Sequence, residues 1–131
     1  MSFASNCFPT FSTASTTVTG ITETVVATTN DVATKSIGQL IMLEFQFQLT
    51  SGSTQTGAVM KVYRGTTASG TPIYTSGTLT VAGGEVHVWD FKVTDQFTSD
   101  VANQQWCVSV TQSGGVGNGT ATNAFTNVTL V

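Results

Sequence analysis

The sequence predicts an all-β, single-domain antiparallel β-sandwich: a jelly roll of about eight strands with an extended N-terminal arm. Three observations point there. The 131 residues include 26 Thr and 12 Ser but only four Lys+Arg and seven Asp+Glu. Threonine's branched Cβ disfavours helix and suits a half-buried pleated surface. Apolar residues recur at period two, and no stretch carries a convincing helical stripe. Glycine-rich turn signals punctuate the chain roughly every 8 to 15 residues, a spacing of sandwiches and barrels. An immunoglobulin-like sandwich is the runner-up. No fixed-period repeat is visible, which excludes solenoids and propellers.

Residues 1–17 have no clean period, and Pro9 breaks any regular strand or helix there. They read as an arm, with 18–131 as the sandwich domain. Phe3, Phe8 and Phe11 on that arm need a docking place. A neighbouring subunit and the domain's own core both stand open as that place, and the three are the candidate interface residues. Alternation begins at Val18 and continues through Ile21, Val25 and Ala27. The clearest strand runs from Leu40 to Leu49, with Ile41, Leu43, Phe45, Phe47 and Leu49 on one parity and Glu44, Gln46 and Gln48 on the other. Ser51 to Gly57 reads as a loop, and Ala58 to Arg64 as the next strand. A Gly/Thr connection leads to Ile73–Thr75, then to a short strand at Leu79 and Val81. Ala82-Gly83-Gly84 makes a tight turn. Glu85 to Thr94 forms a long strand with His87, Trp89, Phe91 and Val93 sharing a parity. Residues 95–103 are polar and read as a loop holding a short helical turn. Gln105 to Gln112 and Thr120 to Val131 complete the set, separated by the glycine loop Ser113 to Gly119.

Composition removes several function classes. Charged residues make up 8% of the chain, against about 25% in ordinary soluble domains. Lys35, Lys61, Arg64 and Lys92 are scattered, so no basic patch offers itself to phosphates, and nucleic acid is not an expected partner. No apolar run reaches the 18 or more residues of a membrane helix, and no membrane partner is expected. The N-terminus has neither a basic n-region nor an apolar h-region. With Met1 in place, synthesis in the cytoplasm is the expectation. Cys7 and Cys107 are then expected as thiols rather than a disulfide, since cytosolic thiols stay reduced.

No catalytic constellation emerges. His87 lies mid-strand beside Trp89 and Phe91 and reads as a packed histidine rather than a base. The acids Glu23, Asp31, Glu44, Glu85, Asp90, Asp95 and Asp100 show neither calcium-loop spacing nor an evident acid–base pair. Asp95 and Asp100 read as turn and capping residues. Two cysteines and one histidine do not make a zinc site. Gly115 to Gly119 superficially suits a phosphate cradle, but no helix or lysine follows. Trp89 and Trp106 could present sugar-stacking faces, yet each lies within an apolar alternation that favours the core. Sequons at Asn118 and Asn127 are chance matches on this reading. The expectation is a protein that is not an enzyme and carries no cofactor or metal.

Two stretches suggest a family. VYRGTTASGTPIYTSGTLTVAGG (Val62 to Gly84) and WCVSVTQSGGVGNGTAT (Trp106 to Thr122) combine an Arg-Gly-Thr-Thr hairpin with a later glycine turn. Together they resemble small β-rich decoration or cement proteins of tailed bacteriophages. That resemblance implies a sandwich that decorates or cements a capsid in the virion, made in the host cytoplasm. It further implies the major capsid protein as partner, a homotrimer, and no catalytic residues. The alternative is a carbohydrate- or receptor-binding module of a fibre or adhesin.

Overall fold

The computed structural model describes residues 7–33, 37–97 and 103–131. Period-two alternation sets the architecture, which is built from two five-stranded antiparallel sheets. The first sheet contains β1 (Thr10–Ser12), β2 (Thr16–Val18), β5 (Leu40–Thr50), β9 (Val86–Gln96) and β12 (Gly119–Leu130). The second contains β3 (Thr24–Thr28), β6 (Gly57–Arg64), β7 (Tyr74–Thr75), β8 (Leu79–Thr80) and β11 (Trp106–Ser113). A short ladder joins β4 (Val32–Ala33) to β10 (Asn103–Gln104).

The spatial order is β1/β2–β12–β5–β9 in one sheet and β3–β11–β6–β7/β8 in the other. Treating β1/β2 and β7/β8 as two broken strands leaves eight strand positions in the order of a jelly roll, the chain changing sheet at every step except from β6 to β7/β8. Each break has a local cause. Ser12 turns its hydroxyl back to accept the Ala14 N–H, 3.1 Å away, which ends β1. Facing that gap, β12 shifts register between Thr122 and Phe125. Asn123 adopts φ 53° there and donates from Nδ2 to Gln48 Oε1 at 2.8 Å. Ser76 interrupts the other edge by binding Met60 through both its backbone and its hydroxyl.

Between the sheets, Ile41, Leu43, Phe45, Phe47 and Leu49 of β5 are fully buried. They meet Val62, Val108 and Val110 of the second sheet in one core. Residues 10–12 and 16–17, read from sequence as part of the arm, pair with β12 at the sheet edge, as does Val18. Residues 98–102, within the segment expected to hold a helical turn, lie outside the described residues, and β9 itself runs on to Gln96.

One end of the sandwich is closed by glutamines instead of charges. Gln112 accepts the Gly52 N–H at 3.0 Å and donates to the Val18 and Gly20 carbonyls. Gln55 accepts from Gly115 N–H and donates to Gly20 and Gly117 carbonyls. Both glutamines are buried, and their amides are satisfied by backbone groups of the converging loops, with the Gly52 and Val18 bonds of Gln112 buried. Backbones pass so close here that a Cβ on Gly83 would overlap the Ser53 carbonyl. Replacing Gln112 with Ala strands these groups and is expected to cost about 1–3 kcal/mol. The check is a lower denaturant midpoint at unchanged slope.

Candidate functional site

The end of the sandwich opposite the glutamines carries an ion pair that is anchored to the core. Arg64, closing β6, donates Nε to Asp95 Oδ2 at 2.9 Å and Nη2 to Oδ1 at 2.6 Å. Trp106 Nε1 donates to the same Oδ2 at 2.8 Å. Burial alone would push the Asp95 carboxyl up. The hydrogen bonds from Arg64, Trp106 and the Gln96 backbone, with the charge of Arg64, together hold it below the usual carboxylate range. Asp95 was expected to cap a loop; it instead lies at the end of β9 with the core-facing parity and ties the two sheets together. This arrangement is already saturated by its partners.

A second polar cluster lies on the outer side of the second sheet. Glu23, leading into β3, accepts at Oε2 from Tyr63 Oη at 2.8 Å and Ser109 Oγ at 2.6 Å. Burial, the Glu23 hydrogen bond and its negative charge push the Tyr63 phenol up to about 12. Burial, reinforced by Glu23, also raises the neighbouring Cys107 thiol, which keeps it protonated and poorly nucleophilic. The cluster locks the entry of β3 onto β11 and β6. Sequence reading missed it, although Ser109 interrupting Val108 and Val110 was a visible signal.

A cleft of about 310 Å³ separates the β1/β2 edge from β3. Thr10, Ser12, Thr16, Val26, Ala124 and Thr126 are among its lining residues, which include no ionisable side chain. Among the described residues no three His, Cys, Asp or Glu side chains gather as a metal site. His87 Nε2 stands 4.0 Å from Glu85 Oε2, and its ring lies against Trp89. Trp106 is buried in the core, and Trp89 is partly buried and packs against that core. Cys7 lies beside Thr129 of the first sheet (Sγ–Oγ1 3.8 Å), while Cys107 is on the second.

The arm phenylalanines separate. Phe8 packs against the core. Phe11, paired with Phe125 across β1 and β12, stays 60% exposed on the outer face of the first sheet. Phe3 lies outside the described residues. That same face carries Leu40 and Met42 of β5 and Val86 and Val88 of β9, all exposed, among amides and hydroxyls.

Two expectations follow from the polar clusters. Phenolate absorbance is expected to show a phase near pH 12 that Tyr63→Phe lacks. A raised phenol pKa stabilises the fold below the unfolded value of about 10, and that contribution is lost as pH rises through about 12. Asp95, with its lowered pKa, works in the opposite sense: its stabilisation is complete above about pH 4 and fades as pH falls through the folded value. Asp95→Asn is expected to lower stability at neutral pH by about 1.5–3 kcal/mol and flatten the acid limb of the denaturation profile.

No known protein-family profile matches the chain, nor does any curated protein sequence. Solved structures share its fold. A chain from infectious bursal disease virus, Gt strain, superposes with TM-score 0.62 at 9% identity, covering 95% of this chain and 33% of that one. The VP2 subviral particle of the same virus gives 0.58 at 8% identity, over 95% and 32%. Dimeric latent PorU from Porphyromonas gingivalis gives 0.52 at 12%, over 95% and 12%. The chain thus spans about a third of the length of the two viral chains. At these identities the likeness is one of fold: a β-rich sandwich also found in viral particles.

Proposed function

We propose that this protein is a structural virion subunit, acting through subunit–subunit contacts and not as an enzyme, and that it decorates or cements a bacteriophage capsid. The observation that carries this reading is the outer face of the first sheet, where Phe11, Leu40, Met42, Val86 and Val88 are exposed among amides and hydroxyls, with Glu44, Asp90 and Lys92 as the charged residues on that parity. Hydroxyls and amides are desolvated at lower cost than ions, so the parts of this face away from Glu44, Asp90 and Lys92 can be covered by a neighbour without stranding charges. The shared sandwich fold with viral-particle chains supports the same reading. The major capsid protein is the proposed partner and a homotrimer the proposed state. Repetition over a lattice would add avidity to contacts that are individually weak. Phe11 is the arm residue best placed to anchor a neighbour, because Phe8 already serves this chain's own core.

Particles purified from cells producing this protein are expected to carry it at a fixed ratio to the shell protein, read by quantitative mass spectrometry. Phe11→Ser is expected to reduce that occupancy severalfold with little change in the melting temperature of the isolated protein. Complete absence of the intact protein from purified particles would sink the proposal.

A further inference from the structure

The four lateral edges of the sandwich are not alike. The β1/β2 edge is interrupted at residues 13–15, and β3 is irregular opposite Val108 and Ser109. The β7/β8 edge consists of two-residue pieces. Breaks and bulges of this kind are how sheet proteins prevent edge-to-edge pairing. β9 has neither. It is 11 residues long, keeps an unbroken register with β5, and among the described residues pairs with nothing else.

Its free hydrogen-bonding groups can be identified. Ser51 N–H donates to the Glu85 carbonyl and Phe97 N–H to the Gln39 carbonyl, bracketing the β5–β9 ladder. Antiparallel pairs alternate between bonded and non-bonded residues, so the odd-numbered residues of β9 bond to β5. The N–H and C=O groups of Val86, Val88, Asp90, Lys92, Thr94 and Gln96 therefore point away from the sheet. All six residues are exposed, with Val86 at 60% and Val88 at 58%.

We propose that β9 pairs with β9 of a second copy, antiparallel, about a twofold axis at Phe91. This placement follows from charge. With the axis at Phe91, Asp90 of each copy faces Lys92 of the other, and these are hydrogen-bonded pairs of the new ladder. Moving the axis to Asp90 or to Lys92 sets like charges opposite each other, which is destabilising across strands. Moving it to Trp89 or Val93 leaves both charges facing neutral residues. The Phe91 register also sets Val88 against Thr94 and Val86 against Gln96, covering the two exposed valines. On the inner side Phe91 is held between Phe45 and Tyr74, each with ring centroids 5.7 Å away, so the strand at the axis is braced. The result is one continuous sheet across two protomers through an isologous contact. It lies on a different axis from a trimer contact and can coexist with one. The inference rests on the self-association part of the structural-subunit reading.

Sedimentation equilibrium of the full chain is expected to give twice the 13.7 kDa protomer mass. Asp90→Lys alone and Lys92→Asp alone each turn two attractive pairs into repulsive ones and are expected to weaken the dimer roughly tenfold or more. The double swap Asp90→Lys/Lys92→Asp is expected to restore it to within a few-fold. Amide hydrogen exchange provides a readout that needs no variant. The outward amides of Val88, Asp90, Lys92 and Thr94 are expected to gain protection as protein concentration rises. A wild-type protein that stays monomeric to its solubility limit, or single swaps without effect, would overturn the proposal. So would edge amides protected only when shells are added, since that result assigns the edge to another chain. If the protein dimerises through β9 but is absent from particles, the virion reading fails and this one stands; if the wild-type protein is monomeric in solution yet is carried by particles at a fixed ratio, the reverse holds.

Discussion

The pleat of β5 governs the molecule. Its side chains must alternate, and every residue of one parity, from Ile41 to Leu49, is buried. A one-residue slip would turn all five large apolar side chains into water and bring Glu44, Gln46 and Gln48 into the core. At about 1.5–3 kcal/mol for each buried side chain, no alternative register competes. β9 and β12 flank this strand and take their own inward parity from it. The orientation of the groups on the β9 edge is thus fixed by a strand that never reaches that edge.

Scarcity of charge shapes how the ends are closed. At the loop end two buried glutamines supply what ion pairs could otherwise supply, without the desolvation penalty of ions. At the other end the Arg64–Asp95 pair is half in solvent on the arginine side, and its carboxylate is shared with the Trp106 indole. A third link, Glu23 with Tyr63 and Ser109, holds the outer side of the second sheet. These contacts join residues far apart in sequence. The charged residues are few, and Glu23, Arg64 and Asp95 among them join elements together.

Local pattern made the fold class and the long strands readable, because parity is a property of neighbouring residues. β5 and β6 fall within a residue or so of their expected limits. What escaped was set by distant partners. Asp95 has a turn former's propensity, yet the guanidinium 31 positions earlier and the indole of Trp106 keep it in a strand. Gln55 lies within a stretch that reads as an ordinary polar loop, and its burial exists only because the 19–20 and 113–118 connections converge on it. Phe8 and Phe11 look equivalent in the chain; pairing with β12 turns Phe11 outward, while Phe8 meets the core. The break in β12 at Asn123 left no signal beyond an asparagine able to adopt positive φ.

Loop tips are ordinarily where chains accept foreign sequence. Here the two ends of the sandwich differ in that respect. The connections at 51–56, 82–85 and 113–119 are interlocked through glycines whose hydrogens face neighbouring carbonyls, so an inserted peptide would prise several loops apart together. The hairpin between Gly65 and Gly70 has open space around both glycines. An epitope or tag spliced there would project from the shaft of the molecule and leave the knotted end undisturbed. A chain built this way has one end fitted for variation and the other closed to it.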